Sequence, residues 1–552
     1  MSNALRAYFE SHGGGPSPLL AIERRVRSEG ELDAAAVREL AAEVHLPEAA
    51  VRAAATYYAD LRSAEGVVRV CRGTSCQLAG AEALHQRLDA AGPTTAAYCL
   101  GFCDRSPVIL RSDGRAVTRS TERPTDELLG DDAPAAEPHP EVRSIAREAV
   151  VTRRLAEGGA AELDEARAHG VWAALERALT KPPEAVLEAM ERSGERGRGG
   201  AGFPTGRKWR VSAETPSELK YVIANGDEGD PGSYVDRLLM EEDPHAVLEG
   251  MALCAYAVGA SRGIVYVRSE YPRAKAALAA AITAARNEGF LGQKILGHDF
   301  DFEVEVFPGM GSYVCGEETA LISAIEGFRG EVRLRPPYPA VAGLHGRPTV
   351  VNNVETLVNV PWIVQNGPEA YRALGTEASP GTKALCFNHG FDRPGIVEVE
   401  FGLPLQEAIE AAGGGADGTR LEAVLIGGPM GSAVFPDHWD VPLCYGAMSA
   451  RGIQLGHGGL VALPEGADVA ALVIHWLEFM REESCGKCVP CRLGSRRGHE
   501  LARRLAAGED VRATLERLLD VVSQTSLCAF GRLLPRPVLE LLEHGKLGGG
   551  RS

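Results

Sequence analysis

The stretch Ser193-Gly-Glu-Arg-Gly-Arg-Gly-Gly-Ala-Gly-Phe-Pro-Thr-Gly-Arg-Lys-Trp209 decides how this chain is to be read. It holds six glycines in seventeen residues, so its backbone can take positive φ and approach a ligand closely. Arg196, Arg198, Arg207 and Lys208 surround those glycines with positive charge. Successive N–H groups in such a loop form an anion cradle, and a phosphate is its natural guest. Gly197, Gly199 and Gly202 spell Gly-x-Gly-x-x-Gly, but the dinucleotide fingerprint needs a strand directly before its glycines. Here Pro183 to Arg192 reads as a helix, with Val186, Leu187 and Met190 at helical spacing. The loop points to a phosphate-bearing cofactor held by something other than an ordinary Rossmann turn. A flexible basic linker is the plain alternative.

At 552 residues the chain has room for roughly three to five domains. Its 45% hydrophobic and 24% charged content is that of a soluble globular protein. A net charge of −17 argues against nucleic-acid binding, which rests on neutralising phosphates. No apolar run approaches the roughly 18 residues of a membrane span, and the N-terminus lacks the apolar core of a secretory signal. The expectation is a cytoplasmic protein, or a peripheral subunit of something larger. Twelve cysteines in such a chain point to metal or redox chemistry rather than disulfides.

Residues 1–65 read as a small helical docking domain, with Leu32, Val37, Leu40, Ala41 and Val44 on one stripe. Residues 66–121 change period: a strand ending at Cys71, a helix from Cys76 to about Ala91, a strand delivering Cys99, and a hairpin around Asp113-Gly114. That is a small thioredoxin-like unit. Residues 122–141 are rich in Pro, Asp and Ala and read as a linker. From 142 to 364 strands and helices alternate as in an α/β domain. Polar motifs follow its strands at Asn225-Gly-Asp-Glu-Gly-Asp-Pro231 and Pro308-Gly-Met-Gly-Ser-Tyr-Val-Cys-Gly-Glu-Glu-Thr319, where ligands bind in such sheets. Residues 365–455 show short strands and Gly-rich turns, and 456–552 read as a helical bundle.

Two cysteine groups carry chemistry. Cys485, Cys488 and Cys491 are spaced by two residues, and Cys528 follows at a later helix connection. A triplet plus a distant fourth suits the corners of a [4Fe–4S] cube; structural zinc, usually held by two short knuckles, is the alternative. Cys71 with Cys76, and Cys99 with Cys103, form a pair of pairs at strand ends, as a [2Fe–2S] rhomb requires, with zinc again the alternative. Cys254, Cys315, Cys386 and Cys444 read as ordinary buried residues.

Arg196-Gly-Arg-Gly-Gly-Ala-Gly-Phe-Pro-Thr-Gly206, Asn225-Gly-Asp-Glu-Gly229, Gly316-Glu-Glu-Thr-Ala320, Val351-Asn-Asn-Val-Glu-Thr356 and Ser484-Cys-Gly-Lys-Cys-Val-Pro-Cys-Arg492, in that order, resemble the NADH-binding flavin subunit of respiratory complex I. They are equally similar to the matching subunits of NAD-reducing hydrogenases and NAD-dependent formate dehydrogenases. Residues 1 to about 120 resemble the smaller thioredoxin-like [2Fe–2S] partner of that flavin chain, fused at its front. The resemblance implies a multidomain α/β and α+β chain: N-terminal helical and thioredoxin-like domains, a Rossmann-like FMN and NADH domain, a β-grasp-like domain of the soluble-ligand-binding type, and a helical bundle with a [4Fe–4S] cluster.

It also implies roles. Gly197, Arg198, Gly199, Gly200 and Lys208 would face the FMN phosphate, while Asn225, Asp227, Glu228, Tyr313, Gly316, Glu317, Asn352 and Asn353 would hold the rest of FMN. Phe203, Glu318, Arg335 and Tyr338 would line the NAD(H) pocket, with Glu318 positioning the nucleotide and disfavouring a 2′-phosphate. For Glu317 and Glu318 the bland reading is a pair of carboxylates at a helix N-terminus. No side chain need act as acid, base or nucleophile, because the flavin carries the chemistry. Electrons would pass singly to the clusters and on to a partner subunit of a formate dehydrogenase, hydrogenase or complex I-like assembly. Asp230, Val211 and Arg335-Pro-Pro-Tyr338 depart from residues common in relatives, at positions that bear on nucleotide choice. A non-catalytic, zinc-stabilised scaffold is the alternative from another class.

Overall fold

The computed structural model describes residues 17–63, 66–130 and 139–544. Residues 1–16, 64–65, 131–138 and 545–552, which include the ends of the helical domain and bundle and part of the expected linker, lie outside the described residues.

The thioredoxin-like unit has four strands: β1 (Val68–Cys71), β2 (Thr94–Ala97), β3 (Ile109–Leu110) and β4 (Ala116–Val117). Their order is β2-β1-β3-β4, with β1 and β2 parallel and the hairpin antiparallel. The single helix expected after Cys71 is two, Thr74–Leu78 and Ala81–Asp89, because Gly80 at φ 87° turns the chain between them. A short helix, Thr125–Leu129, stands in the expected linker. Strand β5 (Val142–Ser144) does not belong to the α/β sheet that follows it; it pairs in parallel with the strand Gly395–Glu400.

The α/β sheet is wholly parallel. Strands β6 (Tyr221–Gly226), β7 (Arg262–Val267), β8 (Glu303–Pro308) and β9 (Thr349–Asn353) run in the order β8-β7-β6-β9. The first strand thus lies between the second and the fourth, so the order reverses between β6 and β9, and a ligand crevice opens at such a point. Parallel strands are covered on both faces. Val222, Ala224, Val265 and Val267 face a core with the helices Pro183–Ser193, Pro244–Val258 and Val354–Asn366. Ile223, Ile264, Tyr266 and Val351 face a second core built with Leu19, Ile22, Val37, Leu40, Val51 and Tyr58. The N-terminal helices are therefore the missing layer of the α/β domain.

A six-stranded sheet follows: β10 (Thr382–Phe387), β11 (Gly395–Glu400), β12 (Leu421–Ile426), β13 (Ser432–Val434) and β14 (Gly459–Pro464), ordered β13-β12-β14-β10-β11-β5. Helices Val469–Glu483, Val489–Ala506, Arg512–Thr525, Ala529–Leu533 and Pro535–Glu543 form the C-terminal bundle around Trp476, Leu477, Leu515, Leu519 and Leu541.

Candidate functional site

The glycine loop closes on itself before it reaches any ligand. Gly197 N–H donates to Phe203 O (2.9 Å), and Arg196 Nε donates to Gly202 O (2.6 Å). Gly200 (φ 110°) and Gly202 (φ 59°) supply the turn. The helix Thr205–Glu214 starts directly after Pro204 and is pinned to β9: Lys208 Nζ donates to Val351 O (2.8 Å) and Trp209 Nε1 to Asn352 Oδ1 (3.0 Å). A Cβ on Gly199 would stand 3.0 Å from Asn353 Cβ. Across the sheet Asn353 is the register partner of Asn225. Asn225 Nδ2 donates to Gly316 O (2.8 Å), and Asn225 Oδ1 accepts from Asp227 N–H (3.1 Å). The C-terminal ends of β6 and β9, the turn after β8 and the glycine loop thus converge where the strand order reverses. Gly197, Gly199, Gly200, Lys208, Asn225, Asp227, Gly316, Asn352 and Asn353 lie together there.

Two expected ligands are otherwise engaged. Arg198 is fully buried; its N–H donates to Thr356 Oγ1 (2.8 Å), and its guanidinium binds Tyr371 OH and Pro380 O and lies 4.6 Å from the Phe401 ring centroid. It anchors the loop to the β10–β14 domain. The Glu228 carboxylate accepts from Ser233 Oγ (2.6 Å), Asp236 N–H (3.1 Å) and Arg237 N–H (2.8 Å), so it caps the helix Val235–Glu242. Arg196 stacks over Tyr445, and Arg207 is exposed, leaving Lys208 as the cation that this stretch brings to β9.

The donor set fits a flavin nucleotide. Asp227 Oδ2 is buried and has no hydrogen-bond partner within the protein, and burial pushes its pKa well above the usual carboxylate range. An orphaned polar oxygen beside Gly316 needs a partner, and an N–H of a bound ring would supply one. Glycine N–H groups and Lys208 suit a phosphate.

At the mouth, Glu317 caps the helix Glu318–Ile325, accepting from Thr319 N–H (2.9 Å) and Ala320 N–H (3.0 Å). Glu318 lies between Arg335 Nη1 (3.0 Å) and Lys208 Nζ (3.5 Å). The bland helix-cap reading therefore holds for Glu317, while Glu318 is neutralised by two cations. Phe203 and Tyr338 are 46% and 57% exposed, which leaves both rings free at the surface.

The cysteines come together in their two groups, although among the described residues no three or more His, Cys, Asp or Glu side chains are arranged to hold a single ion. Cys99 and Cys103 Sγ are 3.3 Å apart, and Cys71 Sγ interacts with both Cys76 and Cys99. All four are buried, and contact with Cys76 together with burial drives the Cys71 pKa well up. Four crowded thiols become thiolates readily only when a cationic centre is bound. In the bundle, Cys488 precedes the first turn of the helix Val489–Ala506, Cys491 lies in that turn, and Cys528 precedes the helix Ala529–Leu533. Burial pushes Cys491 up to about 12 and Cys528 up to about 11, and Cys491 feels Cys488, Cys528 and Cys485 as neighbours. Cys254, Cys315, Cys386 and Cys444 are buried.

Around Tyr313, itself expected to hold FMN, the structure adds Phe479, Glu483, Phe530 and His457, which the sequence did not mark. Tyr313 N–H donates to Glu483 Oε2 (2.9 Å), two residues before Cys485. Its ring packs on Phe479 (5.0 Å) and Phe530 (5.6 Å), and Phe479 meets Tyr98 (5.2 Å), the neighbour of Cys99. Tyr313 OH donates to Asp230 Oδ1, whose other oxygen is 2.6 Å from His457 Nε2. His457 enters from the turn before β14. A lone histidine within Gly456-His-Gly-Gly459 was the available signal, but nothing in the sequence ties it to a crevice some 200 residues earlier.

Residues 190–362 match the family model of the Nuo51 FMN-binding domain, and 471–546 that of the NADH-ubiquinone oxidoreductase-F iron–sulfur binding region. Residues 7–131 match the thioredoxin-like [2Fe–2S] ferredoxin, and 392–432 the SLBB domain. The NADP-reducing hydrogenase subunit HndC of Solidesulfovibrio fructosivorans is 43% identical over 373 residues, 67% of this chain and 76% of that protein. The NADH-quinone oxidoreductase F 2 subunit of Rhizobium meliloti is 42% identical over 353 residues, 64% of this chain and 84% of that one. A NAD+-reducing [NiFe]-hydrogenase crystallised in the H2-reduced state superposes with a TM-score of 0.81 at 31% identity, covering 97% of this chain and 93% of that one. The matched family models are those of FMN- and iron–sulfur-binding domains, so FMN, [4Fe–4S] and [2Fe–2S] stand as the cofactors in place of zinc, and the scaffold reading falls. The chain belongs to the family of FMN- and iron–sulfur-bearing NADH dehydrogenase subunits that includes the F-type subunit of NADH-quinone oxidoreductase, and is a flavin-dependent NAD(P)H oxidoreductase.

Proposed function

We propose that this chain is the diaphorase subunit of a hydrogenase-type assembly, exchanging hydride between NAD(H) and FMN and passing electrons singly to a partner subunit that carries further iron–sulfur centres. One observation carries the reading. Tyr313, in the turn of the flavin crevice, touches Glu483 beside Cys485 and packs on Phe530 beside Cys528, so flavin crevice and cluster loop share a wall. Bound FMN supplies the exchange between a two-electron hydride and one-electron carriers.

The protein's part is to hold and exclude. Gly197, Gly199 and Gly200 offer the phosphate cradle and Lys208 its counter-charge. Asn225, Asp227 and Asn353 would hold the flavin ring. Phe203 and Tyr338 border the nucleotide's path, and Glu318, fixed by Arg335, meets its hydroxyls. The hydrogenase type is favoured because a single hydrogenase chain aligns with 97% of this one, fused front included. No helix among the described residues is long and apolar enough to cross a membrane, and a cytoplasmic location accords with that. The test is NADH-dependent ferricyanide reduction by FMN-replete protein, with co-purification of its partner. An inactive flavin-replete protein refutes the diaphorase reading, and a partner without hydrogenase metal refutes the choice of assembly.

A further inference from the structure

The loop that presents Cys99 and Cys103 is gripped by two buried arginines from the flavin domain. Arg268 stands directly after β7. Its Nη1 donates both to Cys99 O (2.7 Å) and to Glu228 O (2.7 Å), and its Nη2 to Tyr98 O (2.8 Å) and Glu270 Oε1 (2.9 Å). Arg237, in the helix Val235–Glu242, donates from Nε to Gly101 O (2.9 Å) and from Nη1 to Glu241 Oε2 (2.8 Å), and lies 4.1 Å from the Phe102 ring centroid. Three carbonyls on and around Cys99 are thus bonded by guanidinium groups. Tyr271 closes the grip: a Cβ on Gly101 would stand 2.7 Å from its hydroxyl oxygen, and Gly101 sits at φ 76°.

We propose that Arg268, assisted by Arg237, raises the reduction potential of the [2Fe–2S] centre held by Cys71, Cys76, Cys99 and Cys103 and couples it to the flavin motif through the shared Nη1. Reduction adds one negative charge to the centre. Cations and N–H donors fixed beside its ligand peptide stabilise that charge and cost no reorganisation. Both arginines are buried, so water and salt screen them little. Glu270 and Glu241 neutralise them at rest, which makes burial tolerable. Asp227 also faces Arg268, at 3.9 Å. Removing Arg268 leaves Glu270 with Arg69 as its remaining cation, and the net loss of positive charge beside the ligand loop pushes the potential the same way, downward.

The experiment is an anaerobic redox titration of the full chain with both clusters loaded, followed by electron paramagnetic resonance. It compares wild type with Arg268→Gln and Arg268→Lys, and the [4Fe–4S] signal in the same sample serves as reference. For Arg268→Gln, the ratio of reduced to oxidised [2Fe–2S] centre at fixed potential falls about tenfold, about 59 mV for one electron. Arg268→Lys falls by less, and the reference does not move. A [2Fe–2S] signal of full intensity titrating at the wild-type potential overturns the proposal, as does an equal shift of both clusters. If Arg268→Gln does not accumulate with its cluster, Arg237→Gln decides: a lowered midpoint supports the proposal, and an unmoved one overturns it.

Discussion

Gly199→Ala separates the geometry of the glycine loop from the stability of the fold. The added methyl meets Asn353 Cβ at 3.0 Å and Cγ at 3.4 Å. Asn353 cannot yield cheaply, because it caps the helix Val354–Asn366 through Thr356 N–H (3.2 Å) and donates from Nδ2 to Asp236 Oδ2. The loop must move instead, away from β9 and out of its place in the phosphate cradle. Inserting a methyl into a packed site costs about 1–3 kcal/mol. Charged to cofactor binding, that weakens FMN about 5- to 150-fold. The assay is recovery of FMN by apoprotein, read from quenching of flavin fluorescence, beside the thermal midpoint of the apoprotein. Gly446→Ala is the control, since its Cβ meets nothing within 4 Å. FMN affinity within twofold of wild type in Gly199→Ala would show that this loop does not hold the phosphate.

Cys491→Ser removes the [4Fe–4S] resonance and electron delivery to the partner while FMN stays bound, checked by iron and flavin analysis of one sample. Glu318→Gln removes the carboxylate that Lys208 and Arg335 share at the mouth, leaving Arg335 only Glu317 at 3.6 Å, so the ratio of kcat/KM for NADPH over NADH rises on the order of tenfold, the size of one charged hydrogen bond; steady-state kinetics with both nucleotides read it. Burial pushes Glu195 up to about 8, against an ordinary value of 4.5. The folded state holds its proton more tightly than the unfolded chain, so this contribution to stability is whole below pH 4.5 and is lost as pH rises through 8. Glu195→Gln therefore flattens the fall of the thermal midpoint across that window; an unchanged slope shows that other groups govern it.

The cysteine spacings and the polar motifs after strands were legible because they are local. Two thiols on one turn, or an Asn-Gly-Asp run ending a strand, reveal their chemistry within a few residues. What stayed hidden depends on partners far along the chain. Arg198 looked like a phosphate ligand by position, yet Tyr371, Pro380 and Phe401 draw its guanidinium into the next domain. Glu228 sits in a ligand motif but caps a helix. The stripe of Leu32, Val37 and Leu40 announced a buried face, while its counterpart, Ile223, Ile264 and Tyr266, is unmarked in strands that are apolar on both sides. Strand β5 is three residues long, too short for its period to show, and it finds β11 some 250 residues later.

The most direct test is an anaerobic titration of the purified chain with NADH, following flavin absorption and both iron–sulfur resonances together. NADH is expected to bleach the flavin, after which reducing equivalents appear on the clusters, with Cys491→Ser bleaching normally but lacking the [4Fe–4S] signal. Flavin that stays oxidised under excess NADH in protein containing its full iron, or clusters that reduce equally well after FMN is removed, would contradict a flavin-gated transfer.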